Sequence, residues 1–199
     1  MARFPRHSSF VSFSLSQLMS HPSASKQIKN CKKTFNMKQF SHEYLNELTE
    51  YAKASERLRQ HRNIHQSYQD PNQRLFNAIE PGSYIRPHRH TSDPRDEMLV
   101  AIRGVMALIT FDDSGFVTNV LRLGTEKYIS STCHAAEVPF DVWHTVIALE
   151  SGCVLLETKA GPFDPDQPKD LAPWAPPESS INVSCYLKTL TQLIGSRIV

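Results

Sequence analysis

Between residues 74 and 163, short apolar runs alternate with polar turns along the chain. Eight segments have the length and composition of strands: 74–80, 98–102, 105–111, 116–123, 126–131, 136–139, 144–149 and 153–159. Turn residues separate several of them, including Pro81-Gly82, the run at 112–115 and Ser151-Gly152. Short strands in this arrangement are typical of an antiparallel sandwich or barrel and not of an α/β fold. We therefore predict an all-β domain.

Helical periodicity is found on either side of these strands. Ser41 has the character of an N-cap, and apolar residues recur at helical spacing from Tyr44 to Leu58, which predicts a helix over 42–58. Residues 59–63 are too polar to continue that helix with a buried face. A second apolar series, from Val183 to Ile194, predicts a short C-terminal helix.

The length of 199 residues fits one domain, which we place at 37–199 with a barrel over about 74–163. The net charge is +2, but residues 1–40 hold seven Lys and Arg and no Asp or Glu. The remainder carries 15 basic and 20 acidic residues, and this mildly acidic balance does not indicate a nucleic-acid partner. The four cysteines have no paired spacing, and no apolar stretch reaches the ~18 residues of a membrane span.

Residues 1–36 are basic and rich in serine, and we predict a disordered tail without a role in the fold. The composition fits an organelle transit peptide, a flexible tail, or untranslated sequence upstream of an alternative start at Met37. The corresponding localisation is cytoplasmic, with organelle targeting left open. A homodimer is also left open.

The candidate chemistry lies at His88-Arg89-His90, where two imidazoles share one face of an extended strand. Glu97 follows a short polar turn, and His144 begins a later strand. Three imidazoles and a carboxylate form a mixed set suited to a divalent first-row metal, with Mn, Fe, Ni and Zn all admissible.

The frame around these residues resembles the two motifs of the cupin superfamily. Gly82 stands six residues before His88 and Gly104 seven after Glu97, and residues 139–144 read PFDVWH. Two features depart from the motifs: the gap from His90 to Glu97 holds six residues, and Asp141 and Ala148 replace a Gly and an Asn. Asp93 and Asp96 lie in that gap and are alternatives to Glu97. The resemblance implies a double-stranded β-helix, a small jelly-roll barrel.

A narrower set of stretches is similar to the WbuC family of cupin-fold metalloproteins. It comprises RLFNA at 74–78, residues 82–90, WHT at 143–145, LETKAGP at 156–162 and APWAP at 172–176. The resemblance covers roughly residues 37–178. It implies a metal site and a link to the biosynthesis of bacterial surface polysaccharide (O-antigen).

Three further residues are candidates for catalysis. If the strand holding His88 is regular, Tyr84 and Arg86 share its inward face. Arg86 would then bind an anionic substrate group, unless it pairs with Glu97 or Glu157, and Tyr84 would donate a proton, unless it only packs. Glu157 lies in an aliphatic strand and is either an acid/base with a shifted pKa or an ion-pair partner. Trp143 and Trp174 are interpreted as core and loop anchors.

Two functional classes follow. The favoured one is a metal-dependent enzyme of the isomerase, epimerase, decarboxylase or oxygenase type that acts on a small oxygenated acid or sugar derivative. The alternative is a non-catalytic module that binds a small molecule or sugar. An acid/base group near the metal would favour the enzyme, and a closed aliphatic pocket would favour the module.

Overall fold

The computed structural model describes residues 37–128, 133–166 and 169–197. Residues 40–199 form one compact unit, to which the description below refers. The helices are α1 (His42–Ala54) and α2 (Val183–Arg197). The strands are β1 (Arg59–Asn63), β2 (Asn72–Ile79), β3 (His88–Arg89), β4 (Glu97–Arg103), β5 (Val105–Phe111), β6 (Val117–Gly124), β7 (Ala135–Val138), β8 (Trp143–Ala148), β9 (Cys153–Ala160) and β10 (Asp170–Leu171). The predicted tail, residues 1–36, lies outside the described residues.

The strands form two five-stranded sheets. The first sheet has the order β1-β2-β9-β4-β7 and the second β10-β3-β8-β5-β6. Every pairing between these strands is antiparallel. Apart from β1–β2 and β5–β6, consecutive strands lie in different sheets. This is the cupin-type jelly-roll arrangement, and the predicted all-β fold class, with its flanking helices, is confirmed.

Strand alternation builds the core between the sheets. On β8, Val146 and Ala148 face inward together with His144, while Trp143 and Ile147 belong to a separate outer cluster. On β4, Leu99 and Ala101 share the inward face with Glu97. Both patterns match the predicted faces, because side chains two residues apart on a strand point the same way. The inner core also includes Ile79, Met106, Leu108, Leu123, Val138, Cys153 and Leu155.

Each helix covers the outer face of one sheet. On α1, Leu45, Leu48 and Ala52 pack against Phe76 and Val154 of the first sheet. On α2, Leu190 and Ile194 join the outer cluster of the second sheet. No helix in the described ranges is long and apolar enough to cross a membrane.

The predicted elements are displaced at two places. Helix α1 begins after the predicted N-cap Ser41, whose side chain accepts a hydrogen bond from Tyr44 N at 3.3 Å, but it ends at Ala54 and not at 58. Leu58 has a φ of 53°, a left-handed conformation that turns the chain into β1. The predicted strand at 126–131 begins with a turn at residues 126 and 127, and its last three residues lie outside the described part of the chain.

The two motif glycines occupy backbone positions that other residues adopt with strain. Gly82 has a φ of 92° and Gly104 a φ of 78°. A Cβ on Gly104 would lie 2.6 Å from Cys153 Sγ and 3.1 Å from Cys153 Cα. The glycine spacing of the first motif thus marks the turns that bound the strands carrying the candidate ligands.

Candidate metal centre

Three histidines and one glutamate converge where the two sheets meet. His88 lies on β3 and His144 on β8, both in the second sheet, and His90 directly follows β3. Glu97 begins β4 in the first sheet. One ligand atom from each of the four residues lies within 4.8 Å of all the others. The sequence-predicted ligand set is therefore brought together.

The cluster is almost fully buried. His144 is 2% exposed, His90 5%, and His88 and Glu97 8% each. Glu97 Oε2 lies 3.5 Å from both His90 Nε2 and His144 Nε2. His88 and His144 are paired across β3 and β8, with ring centroids 4.5 Å apart. The four side chains are therefore withdrawn from bulk solvent.

The second ring nitrogens set the tautomers of two histidines. His88 Nδ1 lies 3.1 Å from the carbonyl oxygen of Arg86, and His144 Nδ1 lies 2.9 Å from that of Val142. A carbonyl oxygen only accepts, so each Nδ1 carries the proton and leaves the lone pair on Nε2. This orientation by a backbone carbonyl is typical of metal-binding histidines.

His90 supports the same interpretation. Both of its ring nitrogens are buried without a hydrogen-bond partner among the described residues. Such orphaned polar atoms are costly and call for an additional partner. Together with the imidazole and carboxylate donors around it, His90 fits a divalent metal at the centre of the cluster.

Electrostatics favour the protonation states that a metal requires. Burial would raise the pKa of Glu97, but the neighbouring His144 and His90 rings outweigh it and hold this pKa well below the usual value. Burial, together with the charge of Lys169, holds the pKa of His88 well below its usual value. Glutamate binds a metal as the ionised carboxylate and histidine as the neutral imidazole, so both pKa shifts favour metal binding.

The long gap before Glu97 forms a turn with its own contacts. Asp93 pairs with Lys159 at 3.1 Å and with Arg95 at 3.3 Å. Asp96 Oδ1 accepts a hydrogen bond from Phe140 N at 3.1 Å. Both alternative carboxylates therefore have partners outside the cluster, and Glu97 is the acidic residue within it.

Glu157 is the second carboxylate near the cluster. It continues the inward face of β9 after Cys153 and Leu155, and Asn77 Nδ2 donates to its Oε1 at 2.8 Å. Burial and the nearby charge of Glu97 raise the pKa of Glu157 to about 7, although the Asn77 hydrogen bond opposes this shift. Asn77 was missed by the sequence analysis. Its position between Leu75 and Ile79 on one face of β2 was the available signal.

Tyr84 and Arg86 are placed differently from the expectation for a regular strand. Strand β3 contains only two residues, and Ile85 is the one that packs against the inner core. Tyr84 contacts the Tyr186 ring of α2 and donates to the carbonyl of Pro176 at 2.9 Å. Burial raises the pKa of the Tyr84 hydroxyl.

The Arg86 guanidinium binds one backbone carbonyl. Its Nη2 and Nε donate to Ala172 O at 2.6 and 3.2 Å. The alternative ion pairs with Glu97 or Glu157 are not among the salt bridges of the described residues. Arg86 and Tyr84 thus both hold the segment after β10, and their catalytic roles stay predictions.

The two tryptophans have the anchoring roles expected of them. Trp143 belongs to the outer core cluster, and its Nε1 donates to Asp113 Oδ1 at 2.9 Å. Trp174 packs against the same cluster, with its ring 5.0 Å from that of Phe111.

A separate cavity of about 470 Å³ lies away from the cluster. It is lined by α1 and by the turns near Gly104 and Gly152, at the far end of β4 from Glu97, which is about 20 Å along the strand. Its polar groups are largely satisfied internally: Lys53 pairs with Glu50, and Arg103 donates to Asn46. The chemistry of the ligand cluster, and not the size of this cavity, therefore identifies the candidate site.

Comparisons with known proteins give a limited likeness. The family model described as Domain of unknown function (DUF6016) matches residues 40–123. No curated protein matches the chain. Among solved structures, protein SO0799 from Shewanella oneidensis is 13% identical with a TM-score of 0.46, covering 56% of this chain and 72% of that protein. An RmlC-like cupin protein from Desulfovibrio desulfuricans is 17% identical with a TM-score of 0.38, covering 51% and 81%. The oxalate decarboxylase of Lactobacillus farciminis, as a formate complex, is 16% identical with a TM-score of 0.42, covering 56% and 30%. None of these similarities assigns an activity to this chain.

Proposed function

We propose that this chain is a metal-dependent cupin enzyme that binds and transforms a small oxygenated acid or an acidic sugar derivative. The observation that carries the proposal is the buried cluster of His88, His90, Glu97 and His144, in which His90 has no other partner. These four residues would hold one divalent metal, with Mn, Fe, Ni or Zn admissible. Bound there, the metal would supply Lewis acidity toward a ligand oxygen.

Glu157 favours an enzyme over a non-catalytic binding module. It faces inward beside the cluster, and burial and the charge of Glu97 raise its pKa, so this carboxyl holds a proton more readily than an ordinary glutamate does. A carboxylate in this state can accept a proton on Oε2 from a carbon next to a carbonyl and return it, while Asn77 holds Oε1. Isomerisation or epimerisation of a hydroxy or keto acid requires such a group. We therefore favour this class over decarboxylation and oxygenation.

We further propose that the chain is a WbuC-type protein linked to surface-polysaccharide metabolism. The stretches that carry the resemblance contribute to the site beyond the ligands. Asn77, from RLFNA, bonds Glu157, from LETKAGP. Arg86, beside the histidines, bonds Ala172, from APWAP. Their convergence at one end of the barrel supports the narrower family over a generic cupin.

The proposal is tested first by metal analysis of protein purified without chelator and without a nickel column. One first-row metal per chain is expected, and a metal-free protein that takes up none of the four candidate ions would overturn the site. Calorimetric titration with hydroxy acids, keto acids and neutral sugars then identifies the ligand class. Neutral sugars that bind as well as the acids would contradict the acid preference.

Proton transfer is tested separately by NMR in D2O. Wild-type protein should exchange the hydrogen next to the carbonyl of a bound acid, whereas Glu157→Gln should bind the acid and lose the exchange. Binding without exchange in both proteins would identify a non-catalytic module.

A further inference from the structure

The segment 169–178, here called the C-terminal strap, runs along the edge of the second sheet at the metal-ligand end. Within it, Leu171 of β10 pairs with His88 and Asp170 pairs with Arg89. Ala172 N donates to Pro87 O at 2.9 Å. The strap is thus an extra edge strand laid directly beside the first ligand.

Hydrogen bonds fix the strap on both sides of this pairing. Asp170 accepts from Thr91 N at 3.0 Å and from Ser92 Oγ at 2.9 Å, and it also accepts from the Thr91 hydroxyl. At the other end, Glu178 pairs with Arg59 at 2.7 Å and with Arg57 at 3.0 Å. The Arg86 and Tyr84 contacts lie between these anchors. The residue that begins the strap, Lys169, therefore has a defined position.

The ladder places the start of the strap beside the cluster. Paired residues of an antiparallel ladder lie on the same face, so Leu171 lies on the face of His88. Lys169 directly precedes β10, next to the pair that Asp170 forms with Arg89. The charges of Glu157 and Glu97 raise the pKa of Lys169, and the charge of Lys169 lowers the pKa of His88.

Lys169 is exposed to water at the start of the strap. Burial by the surrounding protein nevertheless lowers the pKa of its ammonium, against the attraction of Glu157 and Glu97.

The Lys169 ammonium has no ion-pair partner within 4.0 Å among the described residues, whereas Lys159 pairs with Asp93. The two carboxylates whose charges most affect the pKa of Lys169 have other partners: Glu97 belongs to the ligand cluster, and Glu157 accepts a hydrogen bond from Asn77. An unpaired cation beside an oxygen-binding metal site is suited to a ligand carboxylate. We propose that Lys169 is the ligand-binding cation of the site and pairs with the carboxylate of a small acid whose other oxygen reaches the cluster. This assignment rests on the proposed function, and it gives Lys169 the role that the sequence had suggested for Arg86.

The test compares acids with their uncharged amides, for example lactate with lactamide, within a panel of 2-hydroxy and 2-keto acids. Calorimetric titrations use metal-loaded wild type, Lys169→Met and, as a matched control, Lys188→Met on the exposed surface of α2. Wild type and Lys188→Met should prefer each acid to its amide by about 10- to 100-fold, the range of a charged hydrogen bond. Lys169→Met should lose that preference, with unchanged affinity for the amide and unchanged metal content.

The outcomes separate the two claims. An acid preference that survives in Lys169→Met overturns the role of Lys169 and leaves the proposed function standing. Equal loss of acid and amide binding in Lys169→Met indicates a packing role and also overturns it. Wild-type protein that binds metal but none of the acids overturns the proposed function, and the assignment of Lys169 with it.

Discussion

Replacing Glu157 with Gln should stabilise the metal-free protein at high pH and leave it little changed at low pH. Burial and the charge of Glu97 raise the pKa of this carboxyl from 4.5 to about 7 in the folded state. The native protein therefore binds more protons than the unfolded chain between these two values. The contribution of this proton to folding stability is fully present below pH 4.5, and it is lost as the pH rises through about 7.

The magnitude follows from the size of the shift. Since one pKa unit corresponds to 1.36 kcal/mol, the shift at Glu157 represents about 3 kcal/mol. The Gln variant keeps an oxygen for the Asn77 amide and cannot ionise, so it avoids this loss. Relative to wild type, its unfolding free energy should rise by about 3 kcal/mol between pH 4.5 and pH values above 7.

Urea unfolding at a series of pH values, with chelator present, measures this difference directly. Subtracting the two proteins cancels the titration of other groups that both share. Glu137→Gln, at an exposed position on β7, is the control and should differ from wild type by a pH-independent amount. A flat difference for Glu157→Gln as well would refute the buried, proton-holding carboxylate on which the proposed acid/base role depends.

Three further predictions concern the metal, the tail and the turns. His88→Ala should cut metal content sharply, as measured by elemental analysis, while circular dichroism stays that of the folded barrel; unchanged stoichiometric metal would contradict the ligand set. Deleting residues 1–36 should leave the thermal midpoint and metal content unchanged, and a loss of several degrees would show that the segment packs on the domain. Gly104→Ala should lower the unfolding free energy by roughly 1–3 kcal/mol, because residue 104 has a positive φ and the added Cβ would clash with Cys153. The control Gly195→Ala, in α2, should instead raise the unfolding free energy by up to about 1 kcal/mol. Equal effects of the two changes in urea unfolding would argue against the turn geometry at Gly104.

The parts of the fold that depend on the local alternation of polar and apolar residues could be predicted from the sequence. The inward faces of β4 and β8 follow from alternation alone, and with them the placement of Glu97 and His144. The convergence of the candidate ligands was predictable because two of them are two residues apart on one chain segment, and motif spacing identified the other two. The fold class then followed from strand length and turn chemistry.

The parts that failed depend on contacts distant in sequence. Alternation extended from His88 back to Tyr84 is wrong because β3 ends after two residues, and the chain before it follows the strap and α2 instead. Asn77 reaches Glu157 through the pairing of β2 with β9, and the strap lies beside His88 through the pairing of β10 with β3; no local pattern reveals either pairing. The end of α1 at Ala54 depends on the left-handed turn at Leu58, a conformation that Leu rarely adopts.

The arrangement separates residues that position the site from residues that face the ligand. Arg86 and Tyr84 donate their hydrogen bonds to backbone carbonyls of the C-terminal strap, at Ala172 and Pro176. Because the strap begins at Lys169, these contacts would position the proposed ligand-binding cation without themselves touching the ligand. Polar residues that stand next to metal ligands in sequence can therefore act by fixing a distant segment. In the proposed site, three parts of the chain cooperate: β3, the residue after it and β8 carry the imidazoles, the first sheet carries both carboxylates, and the strap carries the cation proposed to bind an acid.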